Sequence, residues 1–141
     1  MCRQVLCTAF ARGRITLLRR TVTEHARAEG LTGRGLEDFV LAVNEIVTNA
    51  VLHGGGHGRL RLWSHAGRLW CEVSDEGPGL PAGWMGDGRP PEGLDFRGRG
   101  LWLTGMLCDQ VMIVSGPAGT TVMFSALLSD APSREPAAAL L

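Results

Sequence analysis

From Ala11 to Glu29, Ile15, Leu18, Val22 and Ala26 recur at spacings of three and four, which predicts a helix with one apolar face. Gly30 follows as its stop. A second helix is predicted from Gly35 to His53, ended by Gly54-Gly55-Gly56. Phe39, Val43, Ile46, Val47 and Ala50 fall on one arc of it and form its core face. The period then changes. Leu60 and Leu62 within 59–65, and Leu69, Cys71 and Val73 within 68–75, alternate as strand residues do, with Ala66-Gly67 as a hairpin turn. Val111 to Ser115 and Thr120 to Leu127 read as two further strands joined by 116–119. Leu101, Leu103 and Leu107 mark a short helix ending near Cys108, and residues 3–9 carry a fainter strand pattern.

Residues 76–98 contain few structure-forming side chains. Six glycines precede Gly98 there, with Pro78, Pro81, Pro90 and Pro91. An irregular segment of this length inside a small domain is usually functional or mobile. The Ala/Pro-rich stretch 129–141 reads as a disordered tail. The order is strand, two helices, two strands, loop, helix, two strands. It predicts one α+β domain over 1–128: a two-layer sandwich with a mixed, mostly antiparallel sheet and helices on one face.

Composition narrows the function. The 141 residues carry 14 basic and 14 acidic side chains, a formal net charge of zero, so direct nucleic-acid binding is not expected. Every basic residue is arginine. Without lysine, a P-loop, a eukaryotic-type protein kinase and Schiff-base catalysis are all excluded. Cys2, Cys7, Cys71 and Cys108 form no C-x-x-C pair and are expected to be reduced and mostly buried. No charged-then-apolar leader opens the chain and no apolar run approaches a membrane span, so a cytoplasmic protein is expected, neither exported nor membrane-bound.

Candidate chemistry begins on the second helix. Glu45, Asn49 and His53 are spaced by four and form a polar stripe beside the core face, roughly 12 Å long at 1.5 Å rise per residue. Polar groups beside a core are costly unless something uses them. Three signals lie downstream. Asp75 ends a strand in D-x-G-x-G with Gly77 and Gly79, where a carboxylate could accept a hydrogen bond from an exocyclic amino group. Gly98-Arg99-Gly100-Leu101 precedes a predicted helix, where backbone N–H groups can face phosphate oxygens. Gly119-Thr120-Thr121 opens the last strand, and a hydroxyl from either threonine could face a base pocket. Each has a plainer reading: solvated helix residues, an ordinary turn, a glycine-rich loop, a good strand former.

Taken in order, the stripe and the three glycine-containing boxes resemble the GHKL superfamily of Bergerat-fold ATPases and kinases. The resemblance covers about residues 10–127. Within that superfamily the run Glu45-Ile46-Val47-Thr48-Asn49-Ala50-Val51-Leu52-His53-Gly54 looks most like the E-x-x-x-N-A-x-x-H-G form found in bacterial anti-sigma factor serine kinases of the SpoIIAB/RsbW type. His25 is followed by Ala-Arg-Ala-Glu, so the acceptor motif of histidine kinases is absent.

The resemblance implies ATP and Mg²⁺ as ligands. Asn49 would hold the metal, Glu45 would be the general base, and Asp75 would read the adenine amino group. Gly77, Gly79, Thr120 or Thr121 and His53 would line the nucleotide site. Gly98, Arg99, Gly100 and Leu101 would wrap the phosphates at the end of a Gly/Pro-rich ATP lid. Implied partners are a sigma factor and a STAS-domain anti-anti-sigma protein carrying the substrate serine or threonine, together with the family's homodimer. Family members often carry more charge in the lid, whereas Gly83 to Pro91 here is rich in glycine and proline, and Arg97 stands where small polar residues are common. Two other functions fit the same residues: an ATP-dependent binding module without phosphotransfer, and a partner-dependent regulator with no sigma factor.

Overall fold

The computed structural model describes residues 2–79 and 103–128. Strand β1 spans Arg3–Ala11, followed by helices α1 (Ile15–Ala28) and α2 (Gly33–His53). Strands β2 (His57–His65) and β3 (Arg68–Ser74) come next, then β4 (Asp109–Gly116) and β5 (Gly119–Leu127). Residues 103–107 are helical as well. The strands form one five-stranded sheet in the order β1-β2-β3-β5-β4, and all four pairings are antiparallel.

Alternation sorts the strand side chains onto two faces. Leu60 pairs with Val73 and Leu62 with Cys71 across β2 and β3, and Cys71 pairs with Phe124 and Val73 with Val122 across β3 and β5. All six are buried and lie against Leu18, Val22 and Ala26 of α1 and Phe39, Val43, Ile46, Val47 and Ala50 of α2. The Phe39 and Phe124 rings are 5.7 Å apart and tilted by 57°, tying α2 to the centre of the sheet. This is the expected two-layer α+β arrangement with helices on one face.

The opposite face carries Trp63 stacked on Trp70 at 6.1 Å, with the Arg61 guanidinium 4.9 Å above Trp63 and bonded to Glu72 at 2.8 Å. The register places Arg61 opposite Glu72 and Trp63 opposite Trp70, so each pair is a direct cross-strand contact.

Two expectations need correction. The first helix begins at Ile15 rather than Ala11, because β1 runs on to Ala11 in register with His57 and the chain then turns at Gly13 with φ +89°. The cysteines are not mostly buried: Cys71 and Cys108 are, but Cys2 and Cys7 are exposed. Cys7 lies opposite Arg61, on the face that no described helix covers, in a strand at the edge of the sheet. All four are free thiols. The tail 129–141 and most of the Gly/Pro-rich loop lie outside the described residues.

Candidate functional site

Helix α2 delivers the polar stripe as its sequence dictates. Its apolar arc, Phe39, Val43, Ile46, Val47 and Ala50, is 2% exposed or less, which fixes the rotation of the helix on the sheet. Glu45, Asn49 and His53 are then left half-buried at the border of that arc. The helix ends in Gly54, whose N–H donates to the Ala50 carbonyl at 2.9 Å.

Asp75 follows directly on β3 and is held from two sides. Its Oδ1 accepts the Gly77 N–H at 2.9 Å, a local turn in which an Asp side chain mimics the backbone. The same oxygen accepts the Thr120 N–H at 3.2 Å, and the Asp75 N–H donates to the Thr120 carbonyl at 2.9 Å. Among the described residues no donor is bonded to Oδ2. The carboxylate is therefore oriented by main chain through one oxygen, and the other can accept from a ligand.

Glycines permit this closeness. A Cβ at Gly119 would run into the Asp75 carbonyl, and Gly119 also sits at φ +142°. A Cβ at Gly77 would lie 2.5 Å from Gly54 Cα and 3.0 Å from the His53 carbonyl. One at Gly54 would lie 2.5 Å from Asp75 Oδ2. The end of α2, the turn after β3 and the start of β5 thus meet backbone to backbone.

Strand parity separates the two threonines. Val122 and Phe124 are buried under the helices, so Thr120 belongs to the helix-facing set and Thr121 to the face bearing Glu72 and Trp70. The Thr120 hydroxyl lies 3.0 Å from that of Ser115. The structure brings together Asp75, Gly77, Thr120 and the end of α2, and leaves Thr121 across the sheet. Gly79 is close by: a Cβ there would lie 3.0 Å from Ser115 Oγ. Gly98, Arg99, Gly100 and Leu101 lie outside the described residues.

In the sequence Gly54 reads as a helix stop and as the last position of the E-x-x-x-N-A-x-x-H-G run, without its contact to Asp75, and the Thr120 amide goes unmarked. A glycine run directly after the polar stripe was the available signal for the first. Nothing local signals the second, which depends on β3 pairing with β5.

The donor types suit a magnesium nucleotide. Asn49 offers a hard amide oxygen at the edge of the core, which Mg²⁺ can take as one protein ligand while substrate phosphates supply others. Among the described residues no cluster of three or more His, Cys, Asp or Glu could hold a metal ion. No helix among them is long and apolar enough to cross a membrane.

Known proteins share this fold. No curated protein sequence matches the chain. Among solved structures, the RsbU and RsbW domains of Rv1364c from Mycobacterium tuberculosis are similar at 19% identity and a TM-score of 0.59, covering 87% of this chain and 32% of that one. The histidine kinase domain of the blue-light activated kinase from Erythrobacter litoralis EL346 matches at 19% identity and 0.55, over 83% of this chain and 66% of that one. The histidine kinase AdeS from Acinetobacter baumannii matches at 11% identity and 0.54, over 89% and 69%. The chain spans less than two thirds of the first two, and at these identities the likeness is one of fold. The sequence match is more extensive: residues 8–126 fit the histidine kinase-like ATPase domain, from within β1 to within β5, and the chain belongs to that family.

Proposed function

We propose that this GHKL-type ATPase domain binds Mg-ATP and transfers its γ-phosphoryl group to a serine or threonine hydroxyl of a STAS-type anti-anti-sigma protein, and that it sequesters a sigma factor as its second partner. The observation that carries the reading is Glu45, one helical turn before Asn49 on the border of the α2 core face. A domain that only held nucleotide would need the amide but not a base.

Asp75 Oδ2 accepts a hydrogen bond from the adenine amino group, while the Gly77 and Thr120 amides hold Oδ1. Asn49 would hold Mg²⁺, which when bound offsets charge on the phosphates. Glu45 takes the proton of the incoming hydroxyl as its oxygen bonds to the γ-phosphorus and the bond to the β-phosphate oxygen breaks, releasing ADP. Gly98 to Leu101 enter as phosphate-binding residues through the resemblance alone. A homodimer and a cytoplasmic location belong to the same reading.

The test uses the full chain, Mg-[γ-³²P]ATP and the STAS-domain protein encoded nearest to it. Label on that protein, stable to acid as phosphoserine and phosphothreonine are, supports the kinase. ATP binding without any transferred label removes the kinase and leaves an ATP-dependent binding module. Transfer without capture of any sigma factor leaves a regulator of another partner.

A further inference from the structure

Gly54 is not a glycine for conformational reasons. Its φ of −108° and ψ of 26° suit any residue, and its N–H simply closes the last turn of α2 on Ala50. Space is what requires it. A Cβ there would lie 2.5 Å from Asp75 Oδ2, about as close to its carboxyl carbon, and 2.8 Å from the Ala50 carbonyl oxygen, all inside van der Waals contact. The carboxylate could not simply swing away, because Oδ1 is bonded to the amides of Gly77 and Thr120. Gly77 in turn packs its Cα side against Gly54 and the His53 carbonyl.

We infer that Gly54 is a specificity-determining positioning residue. Its bare Cα lets the end of α2 abut Asp75, sets the carboxylate where it reads the 6-amino group of a purine, and so makes the chain select adenine over 6-oxo nucleotides. The inference rests on the ATP reading above. Because Gly54 follows Asn49 by five residues on the same helix, about 7.5 Å along its axis, the contact also fixes the base end of the site relative to the phosphate end. A methyl group at position 54 must displace Oδ2 or lift the turn at 75–77, but leaves Asn49 in place on a helix held by its buried arc.

The experiment compares Mg-ATP with Mg-ITP, which differ at the 6-position, by calorimetric titration of the full-length wild type, Gly54→Ala and Asp75→Asn. A hydrogen bond to an ionised acceptor predicts that the wild type prefers ATP by about tenfold or more. Gly54→Ala should bring the ratio towards one, as Asp75→Asn does, while affinity for ITP is held. A fall in both affinities with the ratio kept would mean a merely structural role and overturns the inference. A wild type that binds no ATP overturns the proposed function, and the inference with it.

Should Gly54→Ala not fold, thermal unfolding of Gly54→Ala/Asp75→Ala decides. Removing the carboxylate removes the two closest contacts and leaves only the Ala50 carbonyl, so the double variant should fold and melt near Asp75→Ala. A double variant that fails to fold while Asp75→Ala folds sinks the idea.

Discussion

Asp75 and Thr120 hold each other reciprocally: the Asp75 N–H donates to the Thr120 carbonyl at 2.9 Å, and the Thr120 N–H donates to Asp75 Oδ1 at 3.2 Å. The exit of β3 and the entry of β5 are thereby tied at the point where a nucleotide base would be read. The carboxylate has two tasks, one structural through Oδ1 and one open to a ligand through Oδ2. Substitutions at Asp75 should separate them.

Asp75→Asn keeps an oxygen that can accept both amides, so its stability should stay within about 1 kcal/mol of wild type in urea unfolding. Asp75→Ala leaves the Gly77 and Thr120 amides without that acceptor and should cost about 1–3 kcal/mol. Both should lose ATP affinity to a similar degree. Equal stability of Asn and Ala variants would show that the two amide bonds contribute nothing.

Glu45 and Asn49 should also separate. Glu45→Ala should bind Mg-ATP with near wild-type affinity and lose about 10²–10⁴-fold in phosphotransfer, the range for a removed general base. Asn49→Ala should weaken binding only when magnesium is present. Titrations with and without EDTA, beside single-turnover transfer, distinguish the two. Equal transfer by wild type and Glu45→Ala would remove Glu45 from catalysis.

What was legible in the chain was whatever periodicity alone encodes. The buried arc of α2 from Phe39 to Ala50 follows from a 3.6-residue repeat, and the stripe of Glu45, Asn49 and His53 follows as its border. The alternation of Leu60, Leu62, Leu69, Cys71 and Val73 likewise specified one buried sheet face. Boundaries were less legible, because β1 continues to Ala11 only through its pairing with β2. The choice between Thr120 and Thr121 needed the parity of β5 against the helices, which adjacent residues do not reveal. The contact between Gly54 and Asp75 joins segments that are apart in sequence, so a glycine chosen for space looked like a glycine chosen to end a helix.

The buried thiols give a pH prediction. Burial pushes Cys108 up from 9.0 to about 12, with Asp109 and Asp38 adding to it, and burial followed by Cys108 and Glu72 raises Cys71. Unfolded thiols lose their protons near the ordinary value, while the folded ones keep theirs. Their contribution is therefore complete below about pH 9 and declines as pH rises towards 12, by up to about 1.4 kcal/mol per unit per thiol. Urea unfolding should weaken between about pH 9 and 10.5, and less steeply in Cys71→Ala/Cys108→Ala. Alkylation of the native chain should reach Cys2 and Cys7 first. Identical slopes in both proteins would assign the alkaline loss to other groups.

Two glycines should respond in opposite directions to the same added methyl group. Gly119 combines φ +142° with a position where a Cβ would meet the Asp75 carbonyl. Gly119→Ala therefore adds backbone strain of about 1–3 kcal/mol to overpacking of similar size. It should loosen the β3–β5 junction and lower nucleotide affinity along with stability. Gly105 lies exposed in the helical stretch 103–107, with nothing within 4 Å of an added Cβ. There alanine replaces the more flexible residue in a helix, so Gly105→Ala should stabilise by about 0.5–1 kcal/mol. Urea midpoints of the two variants test the pair together. If Gly119→Ala were tolerated as well as Gly105→Ala, the close approach of β5 to Asp75 would not be a constraint on the fold.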